Sequence, residues 1–289
     1  MSKFLITGAN GQLGNSIKKL EPDFLQYDFL YTDIEDLDIT QIRDIEQYIR
    51  SQNPELIINC AAYNHVDKAE EETELARMIN VDAVSNLASV AAKNDIGFIH
   101  VSTDYVFDGR TFLPYNENDK PKPLSLYAAT KYHGEVEALK YGRKSCVVRT
   151  SWLYSHYGHN FVKTIRKYGT ERDSLNVVKD QVGTPTFAPD LANAILLLAG
   201  KIPTIKEPQI FHYSNEGVAS WYDFAEAIIK LSAIECTVNP VSTSEYPLPA
   251  KRPFYSVLDK KKIKGFLDIH IPHWLESLEV CLNLIKNQT

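Results

Sequence analysis

Cysteine is scarce in this chain and is never grouped. The 289 residues contain four cysteines, and none of them lies in a Cys-x-x-Cys pair. Because zinc modules need closely spaced ligands, this spacing argues against a zinc site. Cys60 and Cys146 have apolar neighbours, which is typical of buried thiols in a reducing compartment. We therefore expect a cytoplasmic protein.

Long apolar runs and basic tracts are also missing. The amino-terminal segment has only three consecutive apolar residues, Phe4 to Ile6, before a polar turn. Such a run is too short for the core of a signal peptide or for a membrane span. The net charge is −6 and no stretch is rich in lysine or arginine. Neither a membrane nor a nucleic acid is therefore expected as a partner.

What the sequence does contain is an alternation of short apolar runs and amphipathic stretches. Predicted strands cover residues 4–6, 29–32, 56–59, 98–101 and 145–149, and predicted helices cover 12–20, 42–51, 67–93, 127–139, 161–168, 190–198 and 221–231. Continuously apolar strands that alternate with helices predict a parallel sheet covered on both faces.

A glycine-rich turn follows the first predicted strand and opens the first helix. Its residues are Gly8-Ala9-Asn10-Gly11-Gln12-Leu13-Gly14, with the spacing GxxGxxG. Glycine lets the backbone approach a pyrophosphate closely, and the helix amino terminus offers free N–H groups and the positive end of its dipole. We expect a nicotinamide dinucleotide to bind at Gly8, Asn10, Gly11, Gln12, Leu13 and Gly14.

This turn completes the predicted architecture. The fold class is α/β, a Rossmann-type doubly wound parallel sheet with a smaller α/β substrate-binding lobe on the carboxyl-terminal side. We expect residues 1–150 to form the dinucleotide-binding domain and elements near 174–200 to return to it. Residues 151–289 should form mainly the lobe.

Acidic residues follow the second predicted strand. Asp33 lies 19 residues beyond Gly14, where an acid can hold the hydroxyls of the adenosine ribose. We expect Asp38 and Ile39 to line the same site. No arginine or lysine follows this strand directly, so a 2′-phosphate would be poorly received. The pattern allows NADH or NADPH and slightly favours NADH.

Tyr127 and Lys131 are four residues apart on a predicted helix and so share one face. A phenol keeps its proton until about pH 10. A nearby ammonium stabilises the phenolate, so we expect Lys131 to lower the pKa of Tyr127 and make it an acid or base near neutrality.

A hydroxyl pair ends the fourth predicted strand, at the edge of the sheet where ligands bind in α/β proteins. Thr103 is the candidate for holding a substrate carbonyl and its developing oxyanion. Ser102 is the alternative, because the alternation along the strand decides which of the two faces the cleft.

Together these residues resemble the extended short-chain dehydrogenase/reductase family and, within it, the nucleotide-sugar branch of dTDP-4-dehydrorhamnose reductases. The resemblance runs in order along nearly the whole chain. It is carried by the segments at residues 59–63, 66–70, 102–107, 149–154, 160–161, 180–186 and 250–253.

The resemblance implies a reaction and a set of roles. Hydride would pass from the nicotinamide to the C4 ketone of dTDP-4-dehydro-L-rhamnose, a nucleotide-sugar substrate. Tyr127 would supply the proton, Thr103 would bind the carbonyl oxygen, and Lys131 would tune Tyr127. The remaining cofactor contacts would be Ala61, Ala62 and Tyr63. The substrate would be bound by Val66, with Asp104 and Trp152 contacting the deoxysugar and Asn160 and Arg252 lying towards the diphosphate.

Simpler roles stay open for three of these residues. Trp152 also suits core packing, Arg252 a surface ion pair, and Asp104 a cap on the following turn. Some family members are described as metal-dependent through carboxylates at a subunit contact. Asn15 stands where a glutamate would fit that scheme, and residues 283–286 offer no acid. We expect no required metal, and either a monomer or a homodimer.

Two other functions stay open. An epimerase or dehydratase shares the tyrosine and lysine but retains NAD+. Dehydratases typically need an Asp-Glu pair beside the hydroxyl, whereas Asp104-Tyr105 follows Thr103 here. The regulatory β-subunit of methionine adenosyltransferase resembles the same reductases without catalysing a reaction. The chain begins directly at its first strand, with no arm for docking, and this favours an enzyme.

Overall fold

The computed structural model describes residues 2–287. The strands are β1 (Ser2–Thr7), β2 (Tyr27–Thr32), β3 (Leu56–Asn59), β4 (Gly97–Thr103), β5 (Ser145–Thr150), β6 (Leu153–Tyr154), β7 (Ser174–Val178), β8 (Val182–Gly183), β9 (Thr186–Phe187), β10 (Gln209–His212), β11 (Ala219–Ser220) and β12 (Thr237–Val241). The helices are α1 (Gln12–Leu20), α2 (Ile42–Gln52), α3 (Thr73–Arg77), α4 (Ala83–Lys93), α5 (Leu126–Lys140), α6 (Phe161–Glu171), α7 (Ala188–Lys201), α8 (Trp221–Ser232), α9 (Lys261–Leu267) and α10 (Trp274–Lys286).

Six strands form one sheet in the order β10-β5-β4-β3-β1-β2, and every neighbouring pair is parallel. The central strands are buried on both sides, as their continuous apolar sequence requires; all of β3 is buried. The strand order reverses at β1, between β2 and β3. Loops after β1, β3 and β4 therefore open onto one crevice at the carboxyl edge.

Two apolar cores cover the sheet. One core packs α1 and α7 against it, with Ile17 and Leu191 fully buried. The other packs α2, α4 and α5 against the opposite face. This doubly wound arrangement confirms the predicted fold class.

A third core builds the smaller lobe from α6, α8 and α10 around a two-stranded parallel sheet of β7 and β12. The expectation that residues 174–200 return to the first domain needs a correction. Helix α7 does pack on the large sheet, but β7 pairs with β12 in the lobe. Its residues are alternately buried and exposed, with Leu175 and Val177 facing inward. That pattern suits a sheet covered on one face only.

The single helix predicted over residues 67–93 is also corrected. The segment divides into a short turn at Lys68–Glu70, then α3, a π-helical turn at Met78–Asp82, and α4. Within the π turn the Asn80 side chain accepts from the Tyr63 amide at 2.9 Å and donates to the Tyr63 carbonyl at 3.1 Å. The extra residue in this turn thus aims Asn80 at a loop beside the crevice.

Candidate active site

Three adjoining cavities lie along the crevice. The central cavity, about 420 Å³, runs from the glycine turn past the end of β4 to Trp152 and Trp221. The turn-side cavity, about 340 Å³, is lined by residues that follow β1, β2 and β3. The lobe cavity, about 650 Å³, lies against α6 and β7. The central cavity shares lining residues with each of the other two, so one elongated ligand can span all three.

The glycine turn is shaped by close backbone approach. Gly8 has φ +65°, and a Cβ there would lie 2.6 Å from the Ala61 nitrogen. At Gly14 a Cβ would meet the Ala9 Cα at 2.5 Å, whereas at Gly11 the nearest atom would be the Gly8 carbonyl oxygen at 3.3 Å. Helix α1 begins without a side-chain cap or an acidic residue in its first turn. Its first amides can therefore receive an anion.

The turn-side cavity is lined by Asp33, Asp38 and Ile39 from the acidic segment. Asp33 Oδ2 accepts from the Asn10 backbone nitrogen at 2.9 Å, which joins the acidic segment to the glycine turn. Asp38 Oδ1 accepts from the Thr40 hydroxyl at 2.7 Å and so also holds its own loop.

The predicted segment after β3 divides between cavity and core. Ala62 lines both the turn-side and the central cavity, and Ala61 lines the turn-side cavity. Tyr63, expected at the cofactor, is instead buried against Tyr127 and donates its hydroxyl hydrogen to Glu72. Tyr63 thus shares the apolar cluster that surrounds Tyr127.

Thr103, Tyr127 and Lys131 meet at the central cavity. Ser125 caps α5 by accepting from the Ala128 amide, and this places Tyr127 in the first turn. The Tyr127 hydroxyl lies 3.5 Å from Asn64 Oδ1 and beside the Thr103 hydroxyl. Lys131 Nζ donates to the Val101 carbonyl of β4 at 2.7 Å. The structure thus brings the predicted phenol, ammonium and hydroxyl into one cavity.

Burial dominates the electrostatics of this group. It raises the pKa of Tyr127 above its usual range; the Thr103 hydrogen bond opposes the shift and the Asp104 charge adds to it. This differs from the expectation of a lowered pKa, because desolvation is the largest cause of the shift and Lys131 Nζ is bonded to the Val101 carbonyl. Burial also lowers the pKa of Lys131 to about 8, against the attraction of Glu135. Tyr127 is therefore a protonated donor at neutral pH.

Asp104 is buried next to Thr103. Desolvation raises the pKa of its carboxyl group to about 7, although hydrogen bonds from Ser256 and Thr103 oppose the shift. Oδ1 accepts from the Thr103 hydroxyl at 3.1 Å. Asp104 lines the central cavity, so this buried carboxyl group lies at the wall of the candidate site.

Two further hydroxyls face the central cavity without an internal partner. Among residues 2–287, Ser102 Oγ and Thr150 Oγ1 are buried and have no hydrogen-bond partner. Both Ser102 and Thr103 therefore reach the cavity, but only Thr103 contacts Tyr127. Buried polar groups without partners indicate that a polar ligand belongs there.

Asn160 lies by the glycine turn, where it lines the central cavity. It caps α6, and its Nδ2 donates to Gln12 Oε1 at 2.9 Å. Leu13 lines the cavity beside this pair. Asn160 thus supports the glycine turn from the wall of the central cavity. Its contact with the diphosphate end of the substrate stays a prediction.

Arg252 lines the lobe cavity together with Val66. Its guanidinium forms a bidentate pair with Asp67, at 3.0 and 2.7 Å, and also donates to the Ala250 carbonyl. The Ala250 amide donates to Asp67 as well, at 3.1 Å. Asp67, which sequence reasoning did not single out, thus ties the proline-rich loop to the first domain.

Trp152 lines the central cavity and stacks on Trp221. Trp221 is the second residue that sequence reasoning missed. The helix that begins at Trp221 was predicted, but its approach to the cavity depends on the tertiary contact with Trp152, for which the sequence carries no local signal.

Within residues 2–287, no helix is long and apolar enough to cross a bilayer. The same part of the chain holds no group of three histidine, cysteine or acidic side chains placed to bind a metal ion.

A parallel sheet with this glycine turn at its edge, and a Tyr-x-x-x-Lys pair on the helix beside it, is the arrangement that defines the extended short-chain dehydrogenases/reductases. The chain belongs to the family described as RmlD substrate binding domain, whose model matches residues 2–287. The family resemblance drawn from the sequence is thereby confirmed.

Known relatives match over nearly their full length. A dTDP-4-dehydrorhamnose reductase of Aggregatibacter actinomycetemcomitans is 42% identical over an alignment of 288 residues, and the match covers 96% of this chain and 98% of that protein. The structure of one from Clostridium acetobutylicum has a TM-score of 0.93 at 41% identity, covering 98% of this chain and 99% of that one. One from Bacillus anthracis, solved in complex with NADP, has a TM-score of 0.91 at 38% identity, covering 98% and 100%.

Proposed function

We propose that this chain is a dTDP-4-dehydrorhamnose reductase, which reduces the C4 ketone of dTDP-4-dehydro-L-rhamnose to dTDP-L-rhamnose with NADH or NADPH. The observation that carries the proposal is the convergence of Thr103, Tyr127 and Lys131 on a cavity that continues from the glycine turn. We infer the identity of the substrate from the relatives, which are described as dTDP-4-dehydrorhamnose reductases.

The cavities fit a nicotinamide dinucleotide. The close backbone approach at Gly8 and the free amides of α1 suit a pyrophosphate, and Asp33 suits a ribose. The unpartnered Ser102 and Thr150 hydroxyls suit the polar parts of the nicotinamide end. These residues would hold the dinucleotide, and a reduced nicotinamide held there would supply the hydride for C4 of the sugar.

The chain's own side chains manage the oxygen and its proton. Thr103 holds the C4 oxygen by hydrogen bonding, and Tyr127 gives that oxygen its phenolic proton. The high pKa of Tyr127 keeps the proton in place until negative charge develops on the substrate. Once formed, the buried phenolate is stabilised by the Thr103 hydroxyl and by the positive charge of Lys131.

We propose a modest preference for NADH. Among the described residues that line the turn-side cavity there are two aspartates and no lysine or arginine. A 2′-phosphate beside Asp33 would meet a like charge instead of an arginine. Comparing kcat/KM for NADH and NADPH tests this preference, and a higher value for NADPH would overturn it.

We also propose that the enzyme works in the cytoplasm. All four cysteines are free thiols, including the half-buried Cys60 in the crevice. Free thiols suit a reducing compartment. Tracking a tagged copy of the protein by cell fractionation checks the location.

The decisive experiment mixes purified protein with NADH or NADPH and dTDP-4-dehydro-L-rhamnose. We expect cofactor oxidation equal to the ketosugar consumed, with dTDP-L-rhamnose identified by NMR. An epimerase or dehydratase would instead change the sugar without net oxidation of added cofactor. Tight binding of a partner enzyme with no turnover would favour the regulatory subunit.

A further inference from the structure

Trp152 and Trp221 form a face-to-face stack at the boundary of two cavities. Their ring centroids are 3.7 Å apart and their planes differ by 8°. Phe161 packs on the outer face of the pair, 4.6 Å from Trp221. Both indoles line the central cavity, and Trp221 also lines the lobe cavity.

The backbone at Trp152 is strained. Its φ of +46° lies in the left-handed region, which is costly for a bulky side chain. The surroundings hold it there: the Trp152 carbonyl accepts from the Thr186 amide at 3.2 Å. A Cβ on Gly183 would lie 2.8 Å from the Trp152 ring, so this glycine leaves room for one edge of the indole. Gly183 thus accommodates an edge of the Trp152 indole, but the face of that ring needs a separate packing partner.

Trp221 supplies that support from a fixed position. It is the first residue of α8, where Ser220 and Asp223 satisfy each other's backbone amides in a capping box. Ser220 pairs with Val182 in the small antiparallel sheet, next to Gly183. Gly183 and Trp221 therefore belong to one unit. Gly183 leaves room for one edge of the Trp152 indole, and Trp221 covers one of its faces.

Four residues line both the central and the lobe cavity: Val66, Tyr105, Phe161 and Trp221. A ligand with its sugar beside Tyr127 and its nucleotide in the lobe cavity must pass this ring of residues. Of these four, Tyr105 packs edge-on to Tyr127, with ring centroids 6.2 Å apart. The position of the stacked pair thus decides how far the sugar ring reaches towards the catalytic side chains.

We propose that Trp221 is a positioning residue for the substrate, a role that rests on the proposed function. It holds the Trp152 indole as a flat wall for the C–H face of a nucleoside-diphosphate-linked deoxysugar. It also forms the step at which the diphosphate leaves the central cavity. The ring contacts of Trp221 are with Trp152, Phe161 and Phe224, so in this role it acts through orientation and affinity.

The test uses Trp221→Ala and Trp221→Phe, with Trp274→Phe as the matched control. Trp274 is the remaining tryptophan of three and packs in the lobe core against Phe224. Loss of an aromatic contact of this kind should raise KM for the ketosugar about tenfold in Trp221→Ala and less in Trp221→Phe. We expect a smaller fall in kcat, an unchanged Kd for the cofactor, and wild-type kinetics in the control.

Circular dichroism gives a second readout that does not depend on turnover. Two stacked indoles couple their transitions, so the wild type and Trp274→Phe should show an exciton couplet that Trp221→Phe lacks. Adding the product, dTDP-L-rhamnose, should change the couplet. Trp221→Phe is the conservative variant if Trp221→Ala fails to fold.

The outcomes separate the two claims. Wild-type turnover with an unchanged KM in both Trp221 variants would overturn the positioning role alone. Absence of ketosugar reduction by the wild type would overturn the proposed function. If the wild type did not reduce the ketosugar and dTDP-L-rhamnose also left the circular dichroism couplet unchanged, both the proposed function and the positioning role of Trp221 would be overturned.

Discussion

On the cofactor side of the crevice the cavity is shaped by backbone, whereas on the substrate side it is shaped by side chains paired with one another. The glycine turn approaches the Ala61 backbone so closely that Gly8 has no room for a Cβ. Across the crevice, Arg252 is held by Asp67 and Trp152 by Trp221. A site formed by backbone atoms accepts one ligand shape. A site formed by pairs of side chains can be altered by substituting one pair while the others stay in place.

The largest effect on turnover is expected at Tyr127, where the two sides of the crevice meet. Tyr127→Phe removes the proton donor while the ring keeps its packing. Turnover should fall by about 100- to 10,000-fold, with cofactor binding unchanged. Tyr132→Phe, on the same helix but in another apolar cluster, is the control. Near-full activity of Tyr127→Phe would show that another group donates the proton.

The backbone-built side can be broken by a pair of glycine substitutions. Gly8→Ala places a Cβ 2.6 Å from a backbone atom at positive φ, and should destabilise the fold by roughly 3 kcal/mol or more. Gly11→Ala meets only one carbonyl oxygen at 3.3 Å. It should fold almost normally but bind the cofactor more weakly. Urea unfolding and cofactor titration measure the two effects, and equal stability losses would contradict the distinction.

Asp104 gives a dependence of stability on pH. Burial raises its folded pKa from 3.8 to about 7, so the folded protein holds a proton that the unfolded chain releases. Its contribution to stability is complete below about pH 4 and is lost as the pH rises to about 7. Relative to Asp104→Asn, the wild type should lose about 4 kcal/mol at most over this range. Unfolding curves of both proteins across the range check this, and a constant difference would refute it.

The smallest effect is expected on the substrate side, where Asp67 and Arg252 form an ion pair. Asp67→Asn leaves Arg252 without its carboxylate partner and loosens the loop that carries it. We expect a rise of about threefold to tenfold in KM for the ketosugar and little change with the cofactor. Asp82→Asn breaks the exposed pair with Arg77 and is the control. Equal kinetics in the two variants would show that the Asp67 pair is only structural.

The sheet was predictable because its strands carry their own signal, a short run of apolar residues between helices. The division of residues 67–93 was not, since the π turn depends on contacts of Asn80 with Tyr63 and Thr130. Those partners are 17 and 50 residues away in sequence. Local periodicity carries no information about such distant contacts.

The candidate site follows the same rule. The glycine turn and the Tyr-x-x-x-Lys pair are local patterns, and both lie at the crevice. The partner of Arg252 is 185 residues away, and no pattern links the two. The sign of the Tyr127 pKa shift was also missed, because it depends on how deeply the fold buries the phenol.

Strand β10 has a consequence for any attempt to divide this protein. The chain leaves the large sheet after β5, and within residues 2–287 only β10 then covers the outer edge of β5. Helices α7 and α9 return in the same way to complete the first core. A fragment truncated at residue 150 would expose an unpaired strand edge and bare apolar surface, and should aggregate rather than fold. The two lobes therefore have to be expressed and engineered together in one chain.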